Sequence, residues 1–577
     1  MSGSQSLSDT VMAGENNTDF RLKAVVVIFA AVSCLLINLP WHSLLPADTV
    51  IPEYAGWVLP GLLFLVMAIS GRMVFSRAPL LLLSFLVLTL PLLWMPPGSD
   101  AWRAVTRVLM MWCGGVFLLW LAASRVSEAL SALAADALIV TGLVCAVSVL
   151  LCVLWPAGYA HWLPLQEGLR PSGGFRQINV MASFLATMLV LSLHRWLFCG
   201  QVRYLGCLVI FMVSLVMAQS TIGLLGATVV ALLMTVAGRR AVRGRLSVAL
   251  AVLAVSWAGT RTGMTLMSLQ APVDHTFGQL GRIQMWRACA QLIASHPWRG
   301  VGYGMFEGRY PDGVALLQEV QRDPSIVVHP HNELVYQVTE GGLVAVVGLA
   351  FLLVWGVRVA LRLWVQASAA GGYGKPGSDA LGPGLCALPV LLHTQVEYPW
   401  YLSGVHFVLS LFLFGLALSR MAPALPAAVL PSRIHFASRA LLAIAGVFLV
   451  WFSLTGTLIR VGIDAAKQTM ATDISLFERV RWLNPWFMPD QQAFVVSLHD
   501  MQLFNQDGDP ARPGRAEQFY RDYLLRHPDP NVYAMYLQVL SLDGKTAQAK
   551  QVYDEARRRV GWDSRFSRAP DNKEEQQ

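Results

Sequence analysis

His329-Pro330-His331-Asn332-Glu333 closes the longest polar stretch in the apolar part of the chain, roughly residues 264–332, and opens the apolar run Leu334–Val357. Two imidazoles at the mouth of a run long enough to cross hydrocarbon are costly there, so the segment draws attention before any fold is assumed. Outward from it in both directions the chain is apolar. Of its 577 residues 55% are hydrophobic and only 14% are charged, where a soluble domain carries about a quarter charged residues. The solvent for most of this chain is therefore lipid.

Runs matching roughly 30 Å of hydrocarbon are Lys23–Leu45, Gly56–Gly71, Ala78–Met95, Ala104–Ser124 and Ala129–Trp155. Asn179–Phe198, Leu205–Gln219, Thr221–Gly238 and Leu246–Arg261 follow before the long polar stretch. Beyond it come Leu334–Val357, Gly382–Thr394, Tyr401–Ser419 and Ala440–Gly462, about thirteen in all. The expected fold class is an all-α polytopic membrane protein. Its expected divisions are 1–20, a disordered cytoplasmic N-terminus; 21–263, helices 1–9; 264–332, the large loop; 333–462, helices 10–13; and 463–577, a helical domain. Residues 1–20 are polar, so the first apolar run itself is expected to direct insertion.

The net charge of +8 resides in short loops between runs, which reads as topology rather than nucleic-acid binding. With the N-terminus inside, Arg72, Arg77, Arg125, Arg195, Arg203, Arg239, Arg240, Arg243, Arg245, Arg358, Arg362, Lys375, Arg420, Arg433 and Arg439 fall inside. The segment 156–178, the loop 264–332 and the tail beyond 463 then fall outside, with Arg103 and Arg107 as minor violations. Eight scattered cysteines without a CxxC pair argue against a disulfide framework or a thiolate metal site. In the tail, Ala516, Phe519 and Tyr520 recur as Ala549, Val552 and Tyr553 at an offset of 33. That is close to the period of tetratricopeptide helix pairs, though a generic helical hairpin fits as well.

Four outward segments carry polar residues that lipid packing does not require. In Arg170-Pro171-Ser172-Gly173-Gly174-Phe175-Arg176-Gln177-Ile178-Asn179 the arginines suit a phosphate, while Gln177 and Asn179 stand at a helix start. Residues 282–294 read as an amphipathic helix with Ile283, Trp286, Cys289 or Ala290 and Ile293 as its apolar stripe, buried in the membrane interface. Arg282 and Arg287 on it suit headgroups or a phosphorylated ligand. In the third segment Glu333 and Glu340, seven apart, share a helix face turned to protein, and a histidine at the mouth suits a general base or a phosphate ligand. His-x-His also suits a metal, but no acidic cluster of convincing spacing accompanies it, and a purely structural pair stays open. The fourth segment is the tight turn His393-Thr394-Gln395-Val396-Glu397-Tyr398-Pro399-Trp400-Tyr401.

Together these motifs resemble the O-antigen ligase and polymerase superfamily, most closely its bacterial protein O-oligosaccharyltransferase branch. The string Arg282, Trp286, His296-Pro297, Gly300-Val301-Gly302 and Phe306 looks like that family's long periplasmic loop. His329-Pro330-His331-Asn332-Glu333 with Glu340-Gly341-Gly342 looks like its end, and Gly173-Gly174-Phe175-x-Gln177-x-Asn179 is similar to the early motif of the protein-glycosylating branch. The resemblance implies transfer of an oligosaccharide from undecaprenyl diphosphate to a Ser or Thr of a periplasmic, pilin-like protein, by a multi-pass inner-membrane enzyme whose site faces the periplasm. No cofactor is expected, and the lack of an acidic metal cluster in the sequence suggests metal-independent transfer, with arginines meeting the diphosphate charge.

Under that resemblance His331 is the preferred base and His329 the second. Arg282 is the first diphosphate ligand, helped by Arg170, Arg176 and Arg287. Gln177 and Tyr398 orient diphosphate or sugar, and Glu397 or Glu333 orients a histidine. Asn179, Asn332 and His393 complete the substrate-binding group. Lipid A core and another glycan repeat are the alternative acceptors. A lipid-linked glycan transporter is the rival outside the enzyme class, disfavoured because the polar candidates gather on one face.

Overall fold

The computed structural model describes residues 23–39, 54–69, 74–124, 126–161, 170–175, 177–238, 242–269, 276–375, 377–421, 427–429 and 431–567. The N-terminal segment 1–20, the inside arginines 72, 125, 239 and 240, and Arg176 lie outside them. The regular structure of the described residues is helical apart from one antiparallel ribbon, in which Val74–Ser76 pairs with Ala427–Val429.

All thirteen apolar runs carry helix. Among the described residues seven helices are long and apolar enough to cross a membrane, and the rest are shorter apolar helices. Several boundaries differ from expectation for local reasons. Gly382–Thr394 divides into Leu381–Cys386 and Leu388–His393, because Pro389 lacks the N–H that would continue the first helix. The helix before the long polar stretch runs Arg243–Leu266, past the expected boundary at 263, and the last apolar helix extends to Ser432–Gln468, past 462. The polar stretch is itself helical over Thr276–Ser295 and Phe306–Leu316.

The chain forms two compact units. The first comprises 1–79, 112–273 and 354–457, and the second 80–111, 274–353 and 458–577. Ile178–Cys199 is the central helix of the first unit. It packs against Glu128–Leu154, Arg203–Ala218, Thr221–Gly238 and Leu388–His393. It is apolar on every side, as a helix surrounded by helices must be. Its hydroxyls turn back onto its own backbone: Thr187 donates to the Ser183 carbonyl and Ser192 to that of Met188.

In the second unit, the tail helices Pro489–Asp507, Ala511–Arg526, Pro530–Leu542 and Thr546–Arg559 pack in sequence, each on the next. Phe306–Leu316 packs on two of them, Ala511–Arg526 and Thr546–Arg559. The repeated trio is only partly equivalent in its surroundings, since Tyr520 is fully buried whereas Tyr553 is exposed.

Candidate functional site

The centre of the second unit is a broken helix. Glu333–Ala369 loses helical geometry at Gly342, where φ is +58° and ψ −145°. Such a break frees carbonyls in the preceding turn, and they need donors. Val301 N–H supplies one to the Thr339 carbonyl and Gly302 N–H one to that of Glu340, while Leu343 N–H returns to the Pro297 carbonyl. The Gly300-Val301-Gly302 and Glu340-Gly341-Gly342 motifs therefore belong to one junction. A Cβ on Gly342 would stand 2.4 Å from the Gly300 nitrogen, and one on Gly300 2.4 Å from the Glu340 carbonyl carbon, so neither position has room for a side chain.

Below this junction Glu340 is fully buried. Its carboxylate accepts from the Phe306 N–H at 2.9 Å, capping the Phe306–Leu316 helix, and pairs with Arg107 at 2.6 Å. The Arg107 guanidinium lies over the rings of Tyr303 and Tyr336, at 4.1 and 4.6 Å. Arg107, first read as a topology violation, is thus the counter-ion of the helix acid. An arginine on the side of an apolar helix expected to face outward, against the charge bias, was the signal available in the sequence.

Arg103, the other violation, pairs with Glu307 at 2.7 Å. Glu307 accepts from His527 Nδ1 at 2.9 Å, and His527 Nε2 reaches Asp490, which Arg526 holds with two hydrogen bonds. Burial pushes the His527 pKa down, but the Glu307 charge and the hydrogen bonds to Asp490 and Glu307 outweigh it and raise it to about 9. Nothing in the sequence pattern had singled out His527 or Glu307.

The His-Pro-His segment sits on the first turn of the broken helix. His329 is buried, with its ring 4.5 Å from that of Tyr336. Its Nδ1 accepts from the His331 N–H at 3.0 Å, which leaves Nε2 to donate to Glu333 at 3.4 Å. Burial holds its pKa below the usual histidine value, against the opposing hydrogen bond and charge of Glu333. Glu333 in turn accepts from Gln337 at 2.8 Å, and Asn332 Oδ1 accepts from the Val335 N–H, as a helix cap does. His331 is half-buried, and its backbone is left-handed at φ +55°, a conformation rare outside glycine and asparagine.

The Thr276–Ser295 helix joins this segment through Trp286, whose Nε1 donates to the Pro330 carbonyl at 3.0 Å. Its face packed on protein is Met285, Ala288, Cys289 and Leu292; Ile283 and Trp286 are exposed. Cys289 therefore leaves the expected stripe, because Phe306–Leu316 packs on that side. Arg282 is half-buried one turn before Trp286. Arg287 is exposed and paired with Glu319 at 2.7 Å.

The remaining expected residues lie in the first unit. Arg170 donates to the carbonyls of Ala218 and Gln219, where Arg203–Ala218 ends, so its charge meets a helix C-terminus. Asn179 accepts from the Ser220 hydroxyl at 2.8 Å. Gln177 is half-buried at the N-cap of Ile178–Cys199, and its side-chain oxygen is buried without a donor among the described residues. His393 is fully buried. Its Nδ1 lies 2.8 Å from Ser183 Oγ, which also approaches His406 Nε2 at 3.3 Å; His406 Nδ1 continues to Ser403 at 3.0 Å. Glu397 is buried in the same turn and Tyr398 half-buried. His406 was missed because its neighbours on an apolar helix gave no sign of a polar chain.

Two family models match the chain. Residues 205–353 match one described as O-antigen ligase, and residues 384–560 match one described as virulence factor membrane-bound polymerase, C-terminal. No curated protein matches it. The two matches, in order along one chain of apolar helices, support the O-antigen ligase and polymerase superfamily and a multi-pass membrane enzyme of that kind.

Proposed function

We propose that this protein is an O-linked oligosaccharyltransferase of the bacterial inner membrane. It moves a glycan from undecaprenyl diphosphate to a Ser or Thr of a periplasmic, pilin-like protein. The observation that carries this reading is the presentation of His331. Its half-buried imidazole stands on a left-handed backbone whose N–H is anchored to buried His329, within the span that matches the ligase model.

In this reading His331 takes the proton of the acceptor hydroxyl as its oxygen bonds to the anomeric carbon. The bond from that carbon to the diphosphate oxygen breaks, and the lipid diphosphate leaves with its electron pair. Both ring nitrogens of His329 are engaged, so it acts as the support, with Glu333 fixing its tautomer. Arg282 meets the diphosphate charge; it lies one turn from Trp286, which is bonded beside His331. Arg170 and Arg287 are already committed to carbonyls and to Glu319, so they are secondary. By the resemblance, Gln177 orients diphosphate or sugar.

The test is purified full-length protein with lipid-diphosphate-linked oligosaccharide and a Ser/Thr peptide, read by mass spectrometry. The peptide is expected to gain the glycan mass. A second reading, transfer to lipid A core, is favoured by the matched description, O-antigen ligase. Glycan found on core and never on peptide would replace the first reading with it. Glycan carried across a vesicle membrane without transfer to either acceptor would instead indicate a transporter.

A further inference from the structure

We infer that residues 479–486, Arg479-Val480-Arg481-Trp482-Leu483-Asn484-Pro485-Trp486, form an interfacial anchor that seats the soluble tail in the lipid headgroup layer. The segment follows the last apolar helix, Ser432–Gln468, which displays exposed apolar side chains as far as Leu458. One turn beyond Leu458, Gly462 is in contact with the segment: a Cβ there would stand 3.0 Å from both Phe477 Cα and Val480 Cγ2. The segment is thereby held at the level where the lipid-facing surface of that helix ends.

A second fix comes from its other end. The Phe487 ring meets Trp102 edge-on, with centroids 5.6 Å apart. Trp102 lies in the first turn of Ala101–Ala123, another helix of membrane length. The segment between Phe477 and Phe487 thus runs from the end of one apolar helix to the beginning of another. Two hydrogen bonds from Gln492 to the carbonyls of Asn484 and Phe487 hold its shape.

What the segment turns outward has the chemistry of a bilayer interface. Phe477 is buried as the root, while Trp482, Leu483 and Trp486 are exposed, Trp482 at 71% and Trp486 at 64%. Arg481, paired with Glu478 at 2.8 Å, lies 4.6 Å over the Trp482 ring, and Arg479 is exposed in the same segment. Tryptophan is amphipathic and concentrates at the headgroup level, and arginine beside it meets lipid phosphate. Two large exposed indoles would be an aggregation liability in water, whereas a lipid interface accommodates them. The occupant is therefore the membrane in which the helices themselves lie, not a soluble partner. This inference is independent of the transfer reaction.

The test uses the full chain in nanodiscs containing anionic lipid. Spin labels are placed by Trp482→Cys and by Trp486→Cys on a Cys199→Ser background, with Asp522→Cys, at an exposed position of the tail helix Ala511–Arg526, as the aqueous control. Power saturation is expected to show labels 482 and 486 relaxed more by oxygen than by a water-soluble nickel chelate, with the order reversed at 522. Leu483→Cys supplies the same readout if a tryptophan variant does not fold. Labels as open to nickel as 522 would overturn the anchor. So would labels shielded from both reagents, as beneath another protein.

Discussion

The chain carries two histidine pairs built in opposite ways. In His329 and His331, one imidazole is buried and fully hydrogen-bonded so that the other stands half-buried beside it. In His393 and His406, both imidazoles are fully buried and joined through Ser183, with Ser403 closing the chain. Both pairs lie near a carboxylate in the sequence, Glu333 and Glu397. The residue types therefore do not separate the pairs; what surrounds them does. A proton acceptor must be reachable by substrate, whereas an interior polar chain among apolar helices gains only by being completely satisfied. Exposure is thus the ground on which we propose the first pair, rather than the second, for the transfer.

The largest effect expected on this contrast comes from beneath the first pair. Arg107→Ala leaves Glu340 charged and buried, which costs about 3–5 kcal/mol. The expected outcome is a large fall in thermal stability in detergent. A Tm within a degree of wild type would mean that the pair does not hold the junction.

A somewhat smaller effect concerns the clasp between the loop and the tail. The His527 pKa is raised to about 9 by Glu307 and Asp490 against the cost of burial. Its stabilising contribution is fully present below about pH 6.5, the ordinary histidine value, and is lost as pH rises through about 9, for a total of at most about 3 kcal/mol. Wild-type stability is expected to decline across that window and His527→Gln to decline less. Identical slopes would contradict the assignment.

The smallest effect lies in the second pair. Ser183→Ala removes the hydroxyl that joins His393 and His406 and is expected to cost about 1–3 kcal/mol. Activity per folded molecule should stay within a few-fold of wild type. A hundredfold loss in well-folded protein would move the second pair from packing into chemistry.

Much of the fold was readable because it rests on local composition. Each apolar run carries helix among the described residues, and Pro389 explains the division of Gly382–Thr394. The break at Gly342 was not readable, because its freed carbonyls are satisfied by Val301 and Gly302 from a distant segment. For the same reason the partners of Arg107, Glu307 and His527 were hidden: spacing along one helix reveals neighbours on that helix only. At the candidate site the motifs identified His329, His331 and Glu333 as a group, and the structure joins them by hydrogen bonds. The readings of Arg170, Arg287 and His393 as ligand groups came from their charge and position in the chain. The helix end, Glu319 and Ser183 that occupy them could be found only in three dimensions.

The central claim is that the first pair performs the transfer and the second does not. It is tested most directly by single-turnover glycan transfer with purified His331→Gln and His393→Gln, each normalised to folded protein. The account predicts a loss of about a hundredfold or more for His331→Gln, the usual contribution of a general base, and a rate within a few-fold of wild type for His393→Gln. Full transfer by His331→Gln, or its loss only in His393→Gln, would contradict it.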